Sequence, residues 1–349
     1  MLFFAVYLTL FILLIAVSPF DQQKDKTVKY GYVGIVAILC LMAACRPVGL
    51  DKDSQTYVYY VELGTERVEP SFHWISSFVT ATGAGVRGLF VIYALLSIPL
   101  MAYALTRNTS LWYLTLASWM SHYFMVQNLT QIRIAVSVAI FFLLIPYLHA
   151  GRKWLFVGGI CLASLFHYSA LVLLPLVFFK SATLSRRARI ILCLIPVIGF
   201  VLAASSSALL AAIPIPGIQE KLELYEKIKD NGVVDTESVN LLSVKYLAKL
   251  LVYYFVLWKY DILQKRTPYL AFWMKAYACS LLSYAVLSFI PTFAFRISEV
   301  LGVVEVAIIP FLIYTVRPQA VGRAFVSVYC LALLLYNVFI NELFTLNLS

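Results

Sequence analysis

Long apolar runs, separated by short polar connections, recur along the whole chain. A helix needs about 20 consecutive and mostly apolar residues to cross a membrane, and about 17 to 25 is the usual range. Ten runs come near that length, and each predicts a membrane helix. They cover residues 2–17, 30–45, 89–105, 111–126, 132–149, 190–210, 243–258, 270–290, 297–315 and 324–341.

An eleventh apolar run, residues 154–179, decides the predicted topology. As a single crossing, it would put the basic connections 180–189 and 259–266 on the side opposite to the other basic loops. That arrangement breaks the rule that Lys and Arg collect in cytoplasmic loops. If the chain instead turns back at Phe166-His167, all basic loops lie on one side. The charge pattern therefore favours a hairpin.

The hairpin would consist of two short helices, 154–166 and 168–179, which gives about 11 to 12 membrane helices with both termini outside. A helix of 13 residues rises only about 20 Å, so the turn at His167 should lie below the outer membrane surface. Irregular backbone at that depth is tolerated only where it lines a cavity. We therefore expect an all-α polytopic membrane protein with a recessed outer cavity.

Two longer outer loops, 46–88 and 214–242, complete a predicted single transmembrane domain over residues 1–349. In the first loop, apolar residues at helical spacing predict a helix that lies in the membrane interface with these side chains towards lipid. They are Phe72, Ile75, Phe78 and Val79. In the second loop, an amphipathic stretch predicts a helix at 219–230 that covers the outer face like a lid.

The composition excludes a soluble protein. Of the 349 residues, 62% are hydrophobic and 13% charged, whereas soluble domains carry about 25% charged residues. The net charge of +10 reflects basic cytoplasmic loops and gives no support for nucleic-acid binding. The six cysteines form no C-x-x-C pair, and Walker, dinucleotide-binding and H-E-x-x-H motifs are missing. We therefore expect no metal and no cofactor.

Ionisable and other polar side chains near membrane depth are costly, and they are candidates for function. In the predicted topology, the candidates gather on the outer side. They are Asp51, Glu69, Gln131, Arg133, His167, Lys245, Lys249, Arg296 and Glu299. Cations beside carboxylates and one imidazole fit an anionic, phosphate-bearing ligand with an acid/base group nearby.

Structural alternatives exist for the candidates on the predicted helix ends. Arg133 could extend to the outer headgroups, and His167 could simply cap a tight turn. Arg296 and Glu299 are three residues apart and could neutralise each other.

The remaining candidates have alternatives of the same kind. Lys245 and Lys249 could mark an interfacial boundary, and Glu69 could complement the N-terminus of the helix that follows Pro70. Asp51 could be a solvated loop residue.

The order of several short motifs resembles the EpsG-like family of bacterial polysaccharide polymerases, which is related to the Wzy-type O-antigen polymerases. The resemblance covers about residues 49–315, and F-H-Y-S-A-L is its strongest element. The motifs are Gly49-Leu50-Asp51, Glu69-Pro70-Ser71-Phe72, Gln131-Ile132-Arg133, Phe166-His167-Tyr168-Ser169-Ala170-Leu171 and Phe295-Arg296.

The resemblance implies a fold like that of C-type glycosyltransferases in the bacterial inner (cytoplasmic) membrane, with the active site facing the periplasm or outside. Such proteins transfer a growing glycan from undecaprenyl pyrophosphate to the non-reducing end of an incoming lipid-linked repeat unit. They use no nucleotide sugar. The implied partners are undecaprenyl-pyrophosphate-linked oligosaccharides and a chain-length-regulating co-polymerase.

The same resemblance implies roles for the cations. Arg133 and Arg296 would take up the charge that develops on the leaving pyrophosphate. Lys245 and Lys249 would support them in binding the substrate.

The remaining candidates would act on the acceptor and its sugars. His167 would accept the proton of the attacking hydroxyl or orient that hydroxyl. Glu69 or Asp51 is the alternative base or a sugar-binding carboxylate. Gln131 and Glu299 complete the predicted substrate-binding set.

Three other functions compete with this interpretation. A lipid-linked oligosaccharide flippase or glycan transporter would also need buried cations, but it should show matched halves or charges on both sides of the midplane. A membrane acyltransferase could use His167 to activate a hydroxyl. An O-antigen ligase would share the chemistry and differ in its acceptor.

Overall fold

A computed structural model describes residues 2–23, 25–64, 68–179, 183–204 and 239–344. These residues form helices, turns and connections, and no strand occurs among them. The α-helices are α1 (Leu2–Val17), α2 (Lys26–Ala44), α3 (Ser54–Leu63), α4 (Pro70–Ala81), α5 (Gly85–Asn108), α6 (Trp112–Met120), α7 (Ile132–His149), α8 (Lys153–Ser164), α9 (Arg186–Ala204), α10 (Val244–Trp258), α11 (Tyr260–Leu263), α12 (Leu270–Val286), α13 (Pro291–Gly302), α14 (Glu305–Phe311) and α15 (Gln319–Phe339).

Six helices of the described chain are long and apolar enough to cross a membrane. Their bounds are Leu2–Asp21, Lys26–Ala44, Gly85–Asn108, Ile132–His149, Arg186–Ala204 and Gln319–Phe339. A seventh crossing results if the broken pair Pro291–Gly302 and Glu305–Thr315 counts as one span. The prediction of an all-α polytopic membrane protein is confirmed.

The run 154–179 is interrupted, as the charge pattern predicts. α8 ends at Ser164, His167 is extended (φ −156°, ψ 123°), and a new helical segment covers Tyr168–Phe178. The two halves pack along each other, which two elements joined by so few residues can do only if the chain turns back. The second half is a 3₁₀-helix rather than an α-helix and contains Pro175, which has no N–H to donate.

Two predicted crossings are broken. The run 111–126 ends as a helix at Met120 and continues after a turn as a π-helix, Phe124–Thr130. At the break, the Ser121 hydroxyl donates to the Ser118 carbonyl at 2.7 Å, a side-chain bond that competes with the regular ladder. The run 297–315 is divided between α13 and α14. Average hydropathy does not detect such short breaks.

The described chain forms two compact units. In unit 1, α7 lies at the centre and packs against α5 and the 154–179 hairpin. The Asn108 amide donates to the Phe142 carbonyl at 2.9 Å, and the Ser137 hydroxyl donates to Ala163 at 2.8 Å. A side chain at Gly159 would collide with Leu144, so α8 approaches α7 closely.

Unit 2 contains α9, α10, α13 and the later part of α12. Tyr253 and Tyr254 of α10 donate to carbonyls of α9 at 2.7 and 3.1 Å, and Ser280 of α12 donates to Ser298 of α13 at 2.7 Å. The predicted lid helix 219–230 lies outside the described residues. The single domain over residues 1–349 stays a prediction.

The predicted interfacial helix in the first outer loop forms as α4, but its orientation differs from the prediction. Phe72 and Val79 are fully buried, whereas Trp74 and Phe78 are exposed. Phe72 packs against aromatic rings of unit 1, including Tyr57 at 6.1 Å between ring centroids. The prediction that Phe72 and Val79 face lipid is therefore wrong, because helical spacing does not tell a core face from a lipid face.

Candidate functional site

Glu69 is the residue immediately before α4, and its backbone is extended (φ −64°, ψ 149°). Pro70 explains this conformation, because a proline disfavours the helical region for the residue before it. Proline also suits the first turn of a helix. The local sequence Glu69-Pro70 thus fixes both the start of α4 and the position of the carboxylate. Glu69 is 3% exposed.

The Glu69 carboxylate joins three elements of unit 1. Its Oε2 accepts a hydrogen bond from Arg133 Nη1 at the start of α7, and its Oε1 bonds to Nδ1 of His167 at the hairpin turn. The backbone N–H of Tyr168 lies 3.4 Å from the same Oε1. Three candidates that are far apart in the sequence therefore meet at one carboxylate.

The main chain of the hairpin turn is also tied to α4. The Ser71 N–H, in the first turn of α4, donates to the Leu165 carbonyl at 3.2 Å. N–H groups in the first turn of a helix have no partner within the helix, so this bond satisfies one of them. It holds the turn that carries His167 against the start of α4.

The electrostatics of the site keep Glu69 ionised. Burial raises the pKa of this carboxyl, but the hydrogen bond to His167 and the positive charge of Arg133 outweigh burial and lower the pKa from 4.5 to about 2. An ionised carboxylate only accepts hydrogen bonds. We therefore assign the proton of the His167 ring to Nδ1, which leaves Nε2 as an acceptor whenever the ring is neutral.

Aromatic rings surround Arg133. Its guanidinium lies 5.2 Å from the centroid of the Phe72 ring, a favourable cation–π geometry. Tyr57 and Tyr93 also lie close enough to interact with it. The side chains of Arg133 and His167 stay 19% and 13% exposed, so a ligand can reach both groups.

Asp51 pairs with Arg46, the first residue of the predicted outer loop 46–88. Its Oδ2 lies 3.2 Å from Arg46 Nε, and both side chains are buried. The Arg46 guanidinium stacks 3.7 Å above the Phe90 ring. Burial raises the pKa of Asp51 despite the opposing charge of Arg46. The alternative that Asp51 is a solvated loop residue is therefore wrong.

Gln131 connects the π-helix to α7 and is partly exposed. Its backbone N–H donates to Val126 at 2.8 Å, and its carbonyl accepts from Ile134 at 3.0 Å. Gln131 thus fixes the start of α7 two residues before Arg133. A role for its side chain in substrate binding stays a prediction.

The remaining candidates lie in unit 2. The Nζ atoms of Lys245 and Lys249 lie 3.1 and 3.7 Å from Oε1 of Glu299. Glu299 is therefore paired with the two lysines of α10, and the alternative that its neutralising partner is Arg296 is not supported. Arg296 is exposed on α13.

The residues that support the site are not among the predicted site residues. Arg46 begins the predicted outer loop 46–88, and Phe72 belongs to the predicted interfacial helix. Tyr57 is part of the aromatic run Tyr57, Tyr59, Tyr60, which predicts either sugar-stacking faces or an interfacial aromatic belt. Among the described residues, no group of three or more His, Cys, Asp or Glu is arranged to hold a metal ion.

The sequence model of the EpsG family matches residues 29–345. No curated protein and no solved structure matches the chain. The matched range contains all nine candidate residues, from Asp51 to Glu299, in both units. It also contains the hairpin and the start of α4, which build the site around Glu69.

Proposed function

The chain belongs to the EpsG family, and we propose from this that it is a polysaccharide polymerase of the membrane. Its substrates would be oligosaccharide repeat units carried on undecaprenyl pyrophosphate. It would transfer the growing glycan from this carrier to the non-reducing end of an incoming lipid-linked unit. The observation that supports this proposal most is the attachment of Arg133 and His167 to one buried carboxylate.

In the proposed reaction, a hydroxyl of the incoming repeat unit attacks the anomeric carbon of the growing glycan. Nε2 of His167 accepts the proton of that hydroxyl while the new C–O bond forms. The bond from the anomeric carbon to the carrier breaks, and its electron pair leaves with the pyrophosphate oxygen. A direct displacement of this kind inverts the anomeric centre.

Arg133 would bind the leaving pyrophosphate. A guanidinium offers five N–H donors in a fixed plane, and Glu69 takes one of them through Nη1. The fixed position beside Glu69 and Phe72 means that little reorganisation is needed as negative charge develops on the leaving group.

Glu69 would act as a positioning residue rather than as the base. With a pKa of about 2, the carboxylate is a weak proton acceptor at neutral pH. Its ionised form orients the imidazole and stabilises the imidazolium that forms in the step, which follows the logic of carboxylate–histidine pairs in other enzymes.

We further propose that the protein lies in the bacterial cytoplasmic membrane with this site facing the periplasm or outside. The charge pattern of the sequence supports this orientation, since a topology with the hairpin would put the basic connections together on the other side. A chain-length-regulating co-polymerase would be its partner, as the resemblance to the EpsG-like polymerases implies.

The test is the surface glycan of a deletion strain complemented with the wild-type or a variant gene. A polymerase defect leaves products with one repeat unit and removes long chains. A flippase or ligase defect removes every repeat unit. We expect the first pattern for His167→Ala at normal protein abundance, and the second pattern would overturn the proposed function.

A further inference from the structure

The π-helix Phe124–Thr130 lies directly before the helix that carries Arg133. The Gln131 N–H donates to the Val126 carbonyl in the last π turn, and the Gln131 carbonyl accepts from Ile134 in the first turn of α7. One residue therefore belongs to both hydrogen-bond patterns. A change in the winding of the π-helix is passed on to Arg133, two residues further along.

The winding of this segment decides where the Arg133 side chain faces. Short π-helical segments are rare, and they occur frequently at functional sites. A helix turns by about 100° per residue, so a change of hydrogen-bond register by one residue rotates the side chains that follow by about that angle. In the observed register, Arg133 bonds to Glu69. A rewound segment would turn the guanidinium away from this carboxylate.

One buried side chain ties the π-helix to α5. Asn128 is 4% exposed, and its Nδ2 donates to Ser97 Oγ at 2.9 Å. The Ser97 hydroxyl donates in turn to the Tyr93 carbonyl, one helical turn earlier, at 2.7 Å. The Asn128 amide is therefore connected through one hydroxyl to the backbone of a long helix.

Two further bonds hold the turn that leads into the π-helix. The Tyr123 hydroxyl donates to Oε2 of Glu305 in α14 at 3.3 Å, and the Asn337 amide of α15 donates to the Ser121 carbonyl at 3.0 Å. All four residues are buried. Apolar burial is not directional, whereas each hydrogen bond requires a defined geometry. Polar contacts from three helices thus specify a winding that apolar packing alone would not.

We propose that Asn128 is a positioning residue, which sets the π-helical register that brings the Arg133 guanidinium to Glu69. It acts through the backbone, because five positions separate it from Arg133. Its effect on turnover rests on the proposed function, but its effect on the contact between Arg133 and Glu69 does not.

The experiment measures that contact by a double-mutant cycle in the purified full chain in detergent. The melting temperature is measured for Arg133→Ala, for Glu69→Gln and for the double variant, and the non-additive part of the losses reports the coupling of the two residues. The cycle is then repeated in the Asn128→Ala background. We expect the non-additive part to fall there by at least half.

Asn108→Ala provides the matched control. Asn108 is also buried and donates from α5 to α7, at the Phe142 carbonyl. Phe142 lies nine residues beyond Arg133, which is about 14 Å along the helix. Asn108→Ala should lower the melting temperature and leave the coupling of Arg133 with Glu69 unchanged.

The acceptor of the Asn128 bond can be varied as well. Ser97→Ala removes the acceptor and should reproduce the loss of coupling, whereas Ser97→Thr keeps a hydroxyl and should preserve the coupling. If Asn128→Ala yields no folded protein, Ser97→Ala provides the same test with the amide in place.

Polymerisation of purified lipid-linked repeat units gives a second readout. Asn128→Ala should lower kcat about 10- to 100-fold with little change in KM, because a displacement of about 1 Å at the reacting groups can cost that much. Asn108→Ala should keep its kcat in the molecules that stay folded.

Undiminished coupling in Asn128→Ala, or an equal loss of coupling in Asn108→Ala, would overturn the proposal. Additive losses in the wild-type background would also overturn it, because there would be no contact to position. Coupling that depends on Asn128 in a protein without polymerase activity would instead support the positioning role and overturn the proposed function.

Discussion

Glu69 binds the imidazole of His167, although 98 positions separate the two residues in the chain. Both lie directly outside helical elements, Glu69 before α4 and His167 before the 3₁₀ segment. Their side chains are therefore held at the ends of rigid elements rather than along them. This is the arrangement that a precisely oriented proton acceptor requires.

Replacement of His167 should separate turnover from binding. We expect His167→Ala to lower polymerisation about 10²- to 10⁴-fold, the usual contribution of a positioned general base. Binding of the lipid-linked substrate should change little. Polymerisation of purified lipid-linked repeat units measures the first quantity, and equilibrium binding measures the second.

The matched control for this variant is His73→Ala, since His73 lies on α4 and is exposed. It should polymerise as the wild type does. A His167→Ala protein with normal turnover would show that the histidine only caps the turn.

Replacement of Arg133 should reveal whether its geometry matters as well as its charge. Arg133→Ala should abolish long glycan chains, and Arg133→Lys should restore only a small part of the activity, because an ammonium group lacks the planar fork. Arg87, which is exposed, provides the control Arg87→Ala. The measurement is the length distribution of the glycan chains on gels. Full activity of Arg133→Lys would show that the planar guanidinium is not required.

The lowered pKa of Glu69 predicts a pH dependence of stability. Above about pH 4.5 the carboxylate is ionised in both states, and the folded protein has the full benefit of its bonds to Arg133 and His167. As the pH falls from 4.5 towards about 2, the unfolded state takes up the proton first, so this benefit is lost. The melting temperature of Glu69→Gln should therefore lie below that of the wild type at pH 6, with a gap that narrows on acidification.

Thermal melting in detergent at pH 6, 4 and 3 measures this gap. Glu62→Gln is the control, because Glu62 is exposed and its replacement should leave the melting temperature unchanged at each pH. Parallel curves for the wild type and Glu69→Gln would show that the carboxylate is not coupled to the two cations.

The Arg46–Asp51 pair predicts a loss of stability without a change in chemistry. Removal of one partner of a buried ion pair costs about 3–5 kcal/mol, because the other charge stays buried. We expect Asp51→Asn to lower the melting temperature strongly. The molecules that stay folded should bind substrate normally. A normal melting temperature with a raised KM would instead make Asp51 a sugar ligand.

The hairpin predicts from which side of the membrane a single introduced cysteine can be labelled, once the native cysteines have been replaced. A membrane-impermeant thiol reagent should label Tyr168→Cys from outside and label Ser185→Cys only after the membrane is permeabilised. Both positions are exposed in the structure. The reverse pattern would exclude the proposed orientation.

The sequence predicted a helix or a break correctly where one simple signal determines it, either the length of an apolar run or the distribution of charge. Apolar length located α1 and α7 at their observed bounds, and charge distribution located the break near His167. The same signals could not predict the break at Ser121, where the side-chain hydroxyl competes with the backbone hydrogen bonds of the helix. The break between α13, which ends at Gly302, and α14 was also missed.

The candidate site was predicted as a set of residues but not as a set of contacts. Glu69, Arg133 and His167 were chosen because polar groups are rare at membrane depth, yet their meeting at one carboxylate depends on how α4, α7 and the hairpin pack. Partners such as Arg46 and Phe72 could not be found, since no periodicity relates them to the residues they support.

The 3₁₀ winding of Tyr168–Phe178 affects how a hydrophobic carrier would approach the histidine. Eleven residues at about 2.0 Å each extend for roughly 22 Å, and the 12 residues of α8 extend for about 18 Å. Neither arm reaches across a hydrocarbon layer of about 30 Å. In the proposed reaction, the polyprenol tail would therefore lie among the surrounding acyl chains while its headgroup reaches the imidazole, and the reacting bond would lie below the level of the phospholipid headgroups.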